Sequence, residues 1–142
     1  MVKVYHALVE GDPPWEAYTS RQSLRTDGDR RHRTVVDHRG GKEAVTHFRL
    51  LERFTGYALL EARPETGRTH QIRAHLAALR LPIAGDDLYG GKISPGFAIE
   101  RPLLHAWSLD FTHPGRKEAL HLEAPYPEDF QAALAKLGFA RQ

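Results

Sequence analysis

With 142 residues, 20 Lys and Arg against 18 Asp and Glu, and 41% hydrophobic composition, the chain has the size and balance of one folded domain and not of a disordered or fibrous segment. It contains no cysteine, which excludes disulfides, thiolate nucleophiles and thiolate-held metals. No run approaches the roughly 18 apolar residues of a membrane span, and the first residues alternate instead of forming an apolar leader, so a cytoplasmic, non-membrane protein is expected.

In chain order, Val2 to Val9 reads as a strand whose apolar members are Val2, Val4, Ala7 and Val9, closed by the turn cluster Gly11-Asp12-Pro13-Pro14. From Arg21 to Lys42 seven Lys and Arg face three acids, Asp27, Asp29 and Asp37, a local excess that suits a polyanion. Arg33 to His38 is strand-like and stops at Gly40-Gly41. Ala44 to Arg53 and Tyr57 to Arg63 flank Phe54-Thr55-Gly56 as a hairpin. The period then changes: Ile72, Leu76 and Leu79 share one helix face, with Thr69 as the expected N-cap and Pro82 as the stop. After a loop from Pro82 to Gly91 and a less regular stretch come two strands, Leu103 to Phe111 and Ala119 to Ala124, joined through His113-Pro114-Gly115. A last helix is announced by Pro127 at its first position, carries Phe130, Leu134 and Leu137 on one face and ends at Gly138. The predicted fold is α+β, a mainly antiparallel mixed sheet with a few packed helices, and residues 1–142 form a single unit.

The densest polar cluster runs from Thr66 to Leu76 and sets two arginines and two histidines at the start of the amphipathic helix. Free N–H groups and the positive end of the helix dipole gather at such a junction, and Arg68 adds a fork for phosphate or carboxylate. Arg73 lies about 100° round from Ile72, beside the buried face, within reach of a partly buried carboxylate. His70 and His75 stand roughly 140° apart on a helix, so one metal does not take both, and no metal site is expected. His70 is read as capping the helix or hydrogen-bonding locally, and His75 as a surface residue. No serine sits in a Gly-x-Ser-x-Gly elbow, and Asp86-Asp87 reads as part of a turn in which neighbouring carboxylates point apart.

Gly67-Arg68-Thr69-His70-Gln71-Ile72-Arg73-Ala74-His75-Leu76 is similar to the helix-start motif of the RluA-like RNA pseudouridine synthases. The resemblance continues through Pro82-Ile83-Ala84-Gly85-Asp86, Tyr89-Gly90, Leu103-Leu104-His105-Ala106, His113-Pro114 and Ala124-Pro125, in the same order and spacing. Lys3-Val4-Tyr5-His6-Ala7-Leu8-Val9 resembles that family's tyrosine strand, and Gly41-Lys42-Glu43-Ala44-Val45-Thr46 its Gly-Lys-x-Ala-x-Thr signature.

The resemblance implies an isomerase that converts uridine to pseudouridine in ribosomal or transfer RNA without cofactor or metal. In that family an aspartate starts cleavage of the C1′–N1 bond, the uracil turns, and C5 rejoins C1′ before its proton leaves. Carried over by motif, Tyr5 stacks on a flipped base and helps remove the C5 proton, Arg73 pairs with the aspartate, and Leu104 lines the pocket. Arg68, Thr69, His70, Gln71 and Lys42 are the corresponding RNA-binding residues. None of the eighteen acids stands in the Arg-Leu-Asp context of the family's aspartate. The expectation is therefore a C-terminal half of the catalytic domain, inactive alone, with an exposed sheet edge, and completed by a separate chain if it works at all. The alternative is a non-catalytic RNA-binding module.

Overall fold

The structure, a computed structural model, describes residues 1–92, 97 and 99–139. The less regular stretch expected after Gly91 falls partly outside them. Eight strands are present among the described residues: β1 (Val2–Glu10), β2 (Ala17–Ser20), β3 (Leu24–Arg25), β4 (Val35–Val36), β5 (Thr46–Arg53), β6 (Tyr57–Pro64), β7 (Leu104–Thr112) and β8 (Ala119–Glu123). Two helices, α1 (Gln71–Ala78) and α2 (Glu128–Lys136), and a single 3-10 turn at Asp87–Tyr89 complete the order. Six strands make one sheet, β2-β5-β6-β1-β7-β8, in which every pair is antiparallel, and β3 and β4 form a separate two-stranded ribbon. This is the α+β architecture expected.

β1 lies between β6 and β7 and is covered on both faces, so Ala7, Leu8 and Val9 are fully buried. Successive side chains of a strand point to opposite faces. Tyr5 and Leu104 accordingly meet the α1 side, where both line one cleft, while their neighbours His6 and His105 meet Tyr126 and Phe130 at the α2 side. Where β1 pairs with β7 the register passes from Val4–Ser108 to Tyr5–Ala106, a bulge that skips Trp107 and lets its ring stack on His6 at 4.5 Å. Phe130, fully buried and stacked on Tyr126 at 4.6 Å, anchors α2. Phe130→Ala is expected to cost about 3–5 kcal/mol, read as a lower urea midpoint at unchanged slope.

The hairpin forms as the sequence predicts: the Phe54 N–H donates to the Tyr57 carbonyl at 2.9 Å, and Gly56 takes a φ of +79°. The strand expected over Arg33 to His38 contracts to the two residues of β4, because carboxylates curl both of its flanks into turns. Asp29 accepts the N–H groups of Arg31 and Arg33, and Asp37 accepts those of Arg39 and Gly40. Pro127 sits one residue outside the position expected, as the N-cap of α2.

The edges of the large sheet are β2 and β8. Among the described residues, Met1, Val2 and Leu122 are large apolar side chains left exposed, and they lie where the start of β1 meets the β7–β8 pair. The sheet thus presents an apolar rim there.

Candidate functional site

The Gly67–Arg73 motif forms the back wall of a cleft of about 350 Å³. Lys3 and Tyr5 from β1, Pro64 at the end of β6, Leu104 at the start of β7 and Ile72 and Arg73 on α1 close the rest. Among the described residues, no carboxylate lines it. The volume falls in the range of small-ligand pockets, about 300–1,000 Å³.

The junction from β6 into α1 is held by a dense hydrogen-bond network. Gln71 is buried, and its amide nitrogen donates to the Val45 carbonyl at 2.9 Å and the Thr46 hydroxyl at 3.0 Å. Its amide oxygen accepts from the Thr66 hydroxyl at 2.6 Å and the Arg68 N–H at 3.1 Å. These four bonds fill the amide's capacity, so Gln71 builds the wall of the cleft and has no bond left for a substrate. His75, expected at the surface, is 0% exposed. Its Nε2–H donates to the Gln22 carbonyl at 2.9 Å, which leaves Nδ1 to accept from the Thr46 hydroxyl at 2.8 Å. Burial pushes the pKa of His75 down, partly opposed by the bond to Gln22.

The helix N-cap is His70 and not Thr69. His70 takes a left-handed φ of 53° with no side-chain cap; its Nδ1 lies 3.0 Å from the Tyr89 hydroxyl. That hydroxyl also accepts the Thr34 N–H at 2.9 Å, and the Thr34 hydroxyl donates to the Thr69 carbonyl at 2.8 Å. The β4 region is thereby tied to the helix start. Burial, and then the neighbouring Arg73 charge, lower the pKa of His70, against a smaller opposing effect of Asp86.

Arg73 has found a carboxylate, and it is Asp86. Nε and Nη2 donate to the two Asp86 oxygens at 2.8 Å each, and the guanidinium lies 4.9 Å from the centre of the Tyr89 ring. The Arg73 side chain is 19% exposed and that of Asp86 1%. The hydrogen bonds to Asp86 raise the Arg73 pKa further, so the group is a permanent cation at the cleft wall. The turn expected at Asp86-Asp87 therefore contains one buried structural carboxylate and one exposed one. Its tight path explains Gly85 and Gly91: a Cβ at Gly85 would stand 2.3 Å from the Arg101 carbonyl, and one at Gly91 2.1 Å from the Ile83 carbonyl.

Of the residues singled out in the sequence, Tyr5, Arg68, His70, Gln71, Arg73 and Leu104 meet at this cleft. Lys42 and Thr69 line a neighbouring cleft of about 300 Å³, and Arg68 belongs to both. Sequence reasoning gave no site role to Lys3 or Tyr89 and missed the inward face of His75. The last was signalled by spacing, since His75 stands three residues after Ile72 and four after Gln71, on the buried side of α1.

An α+β domain with an antiparallel sheet and a cationic, acid-free cleft at a strand-to-helix junction is suited to an anionic ligand such as a nucleic acid. The profile of the RNA pseudouridylate synthase family matches residues 1–78. A ribosomal large subunit pseudouridine synthase D of Xanthomonas campestris is 47% identical over 108 residues, covering 68% of this chain and 33% of that protein. An uncharacterized RNA pseudouridine synthase of Bacillus subtilis is 45% identical over 134 residues, covering 94% of this chain and 42% of that one. Human RNA pseudouridylate synthase domain containing 4 superposes with a TM-score of 0.74 at 29% identity, over 96% of this chain and 62% of its own. The chain belongs to the RNA pseudouridylate synthase family, within its RluA-like group, and spans well under half the length of these two curated relatives.

Proposed function

We propose that the chain forms the tyrosine-and-arginine half of a site that isomerises uridine to pseudouridine in RNA, and that the initiating carboxylate comes from an Arg-Leu-Asp segment outside the residues of the cleft. The observation that carries this reading is the convergence of Tyr5, Arg73 and Leu104, from three separate elements, on one cleft without an acid. A uridine flipped out of its stack fits such a volume, with Tyr5 and Leu104 against the base. Arg73 uses Nε and Nη2 on Asp86, so Nη1 is the edge available to a second carboxylate. Asp86 itself stands behind Arg73, buried and fully engaged, which makes it a poor substitute for the missing acid. Neither a cofactor nor a metal has a part in this scheme. The name of the Xanthomonas relative favours large-subunit ribosomal RNA over transfer RNA as the target.

The test is release of tritium from RNA labelled at uridine C5. The chain alone should give background, and addition of a family segment carrying Arg-Leu-Asp should produce release, reduced about 100-fold or more by Tyr5→Phe. Release by the chain alone would mean that one of its own acids acts. RNA binding without release under any combination would favour the non-catalytic module, a reading supported by the acid-free cleft.

A further inference from the structure

The start of α1 carries a backbone feature that the helix itself does not need. His70 is the N-cap, yet it takes a left-handed φ of 53° and its ring makes no cap hydrogen bond. A side chain at that position ordinarily accepts from the free N–H groups of the first turn. Here the ring turns to Tyr89 instead: Nδ1 meets the hydroxyl at 3.0 Å, and the two rings stand nearly perpendicular. A non-glycine residue held in this backbone region marks a conformation that its surroundings impose.

Tyr89 decides which imidazole nitrogen carries the hydrogen. Its side chain is buried, and its hydroxyl oxygen accepts the Thr34 N–H at 2.9 Å. The hydroxyl hydrogen then needs an acceptor of its own, and among the described residues that acceptor is His70 Nδ1. With Nδ1 accepting, a neutral imidazole carries its hydrogen on Nε2. The ring is neutral at neutral pH, because burial and then the Arg73 charge lower its pKa, against a smaller pull from Asp86. The same tyrosine ring lies 4.9 Å from the Arg73 guanidinium, so it touches two residues of the cleft wall at once.

We infer that Tyr89 is a positioning residue that fixes His70 as the Nε2–H tautomer, a hydrogen-bond donor at the cleft wall that selects uracil over cytosine. The inference rests on the proposed uridine-binding role of the Tyr5 cleft and supplies the group that reads the base there. His70 and Tyr5 line that cleft together, so a pyrimidine lying against Tyr5 brings an edge to the imidazole. The two pyrimidines differ at C4, where uracil carries an acceptor oxygen and cytosine a donor amine. A fixed N–H pairs with the oxygen and opposes the amine. A histidine free to exchange tautomers would accept the amine through Nε2 and lose the distinction, so the choice belongs to Tyr89 and not to the imidazole alone. Gln71 beside it does not compensate, its four bonds being made within the wall.

Two measurements on the full chain test this. Imidazole nitrogen NMR spectra at about pH 8 should show His70 protonated at Nε2 in the wild type. Tyr89→Phe, which removes the hydroxyl and keeps the ring beside Arg73, should give a mixture of both tautomers. By fluorescence anisotropy, a short oligouridylate should bind about tenfold more tightly than the oligocytidylate of the same length, and Tyr89→Phe should bring the two toward parity. Because that variant also leaves the Thr34 N–H without its acceptor, His70→Asn is the second one: asparagine tolerates the left-handed backbone, lacks Nε2 and should give the same loss of preference. Variants that weaken both oligonucleotides alike, or an Nδ1–H signal in the wild type, overturn the positioning role. A wild type with the Nε2–H signal and equal affinity for the two overturns the selection and leaves the Tyr5 cleft standing. Binding of neither oligonucleotide overturns the reading of the Tyr5 cleft and the selection with it.

Discussion

Asp86→Ala should destabilise the fold by about 3–5 kcal/mol, the largest effect expected of any single polar substitution here, because it strands a mostly buried guanidinium without its carboxylate. The loss has two parts. Arg73 forfeits both forked hydrogen bonds, and the turn at Gly85-Asp86 loses the side chain that pins it to α1. The pair itself carries little net stability, since two charges had to leave water to form it. A double-mutant cycle separates these effects. Arg73→Met with Asp86→Leu should recover most of the stability lost in Asp86→Leu alone, while RNA isomerisation in the completed site stays abolished. Urea unfolding of the four proteins gives the coupling energy. If Asp86→Ala costs less than about 1 kcal/mol, Arg73 is held by something other than Asp86, and the account of the cleft wall fails.

Which parts of this arrangement were readable in advance follows from where the information lies. The strands β1, β5, β6, β7 and β8 and both helices have strong periods of their own, and the β5–β6 turn has a glycine where a left-handed residue is needed. β2 and β3 are different. Tyr18 and Leu24 sit in segments too short to show a period, and they become strands only because β5 pairs with the first and β4, with a bridge from Lys42, pairs with the second. The same holds for the contraction of β4, which depends on Asp29 and Asp37 choosing backbone partners over a ladder. At the site, Tyr5 and Leu104 were found because a family resemblance marked them, whereas Arg68 and Arg73 already stood out by their place at the helix start. Spacing alone gave only that Arg73 would reach a carboxylate. That this carboxylate is Asp86, thirteen residues on and across a turn, is a tertiary fact. The surface reading of His75 went wrong for a related reason: a histidine on the inner face of a helix counts as polar until the strand that satisfies it, here β5 through Thr46, is in place.

His75 should make the stability of the chain fall with acid. The imidazole is neutral in the fold, buried between the Thr46 hydroxyl and the Gln22 carbonyl, and its pKa lies below the ordinary 6.5 of an exposed histidine. Between those two values the unfolded chain takes up a proton that the folded chain does not, so stability is fully present above pH 6.5 and is lost as pH falls toward the folded value. His70, lowered by burial and by Arg73, adds in the same direction. His121, held between Glu123 and Asp110 and raised, opposes them: its contribution is present at low pH and fades as pH rises past its folded value. It is exposed, and solvent screens it, so the buried histidine should dominate. The discriminating variant is His75→Gln, which removes the titrating group while offering an amide to the same two partners. It should lower the melting temperature at pH 8, since an imperfectly satisfied buried site costs about 1–3 kcal/mol. It should also flatten the decline between pH 7 and pH 5 relative to the wild type. Parallel curves for the two proteins would show that the acid sensitivity has another source. Because Thr46 and Gln71 join His75 to the backbone at Arg68, the same titration should loosen the wall shared by the two clefts, and RNA affinity should weaken over the pH window in which stability does.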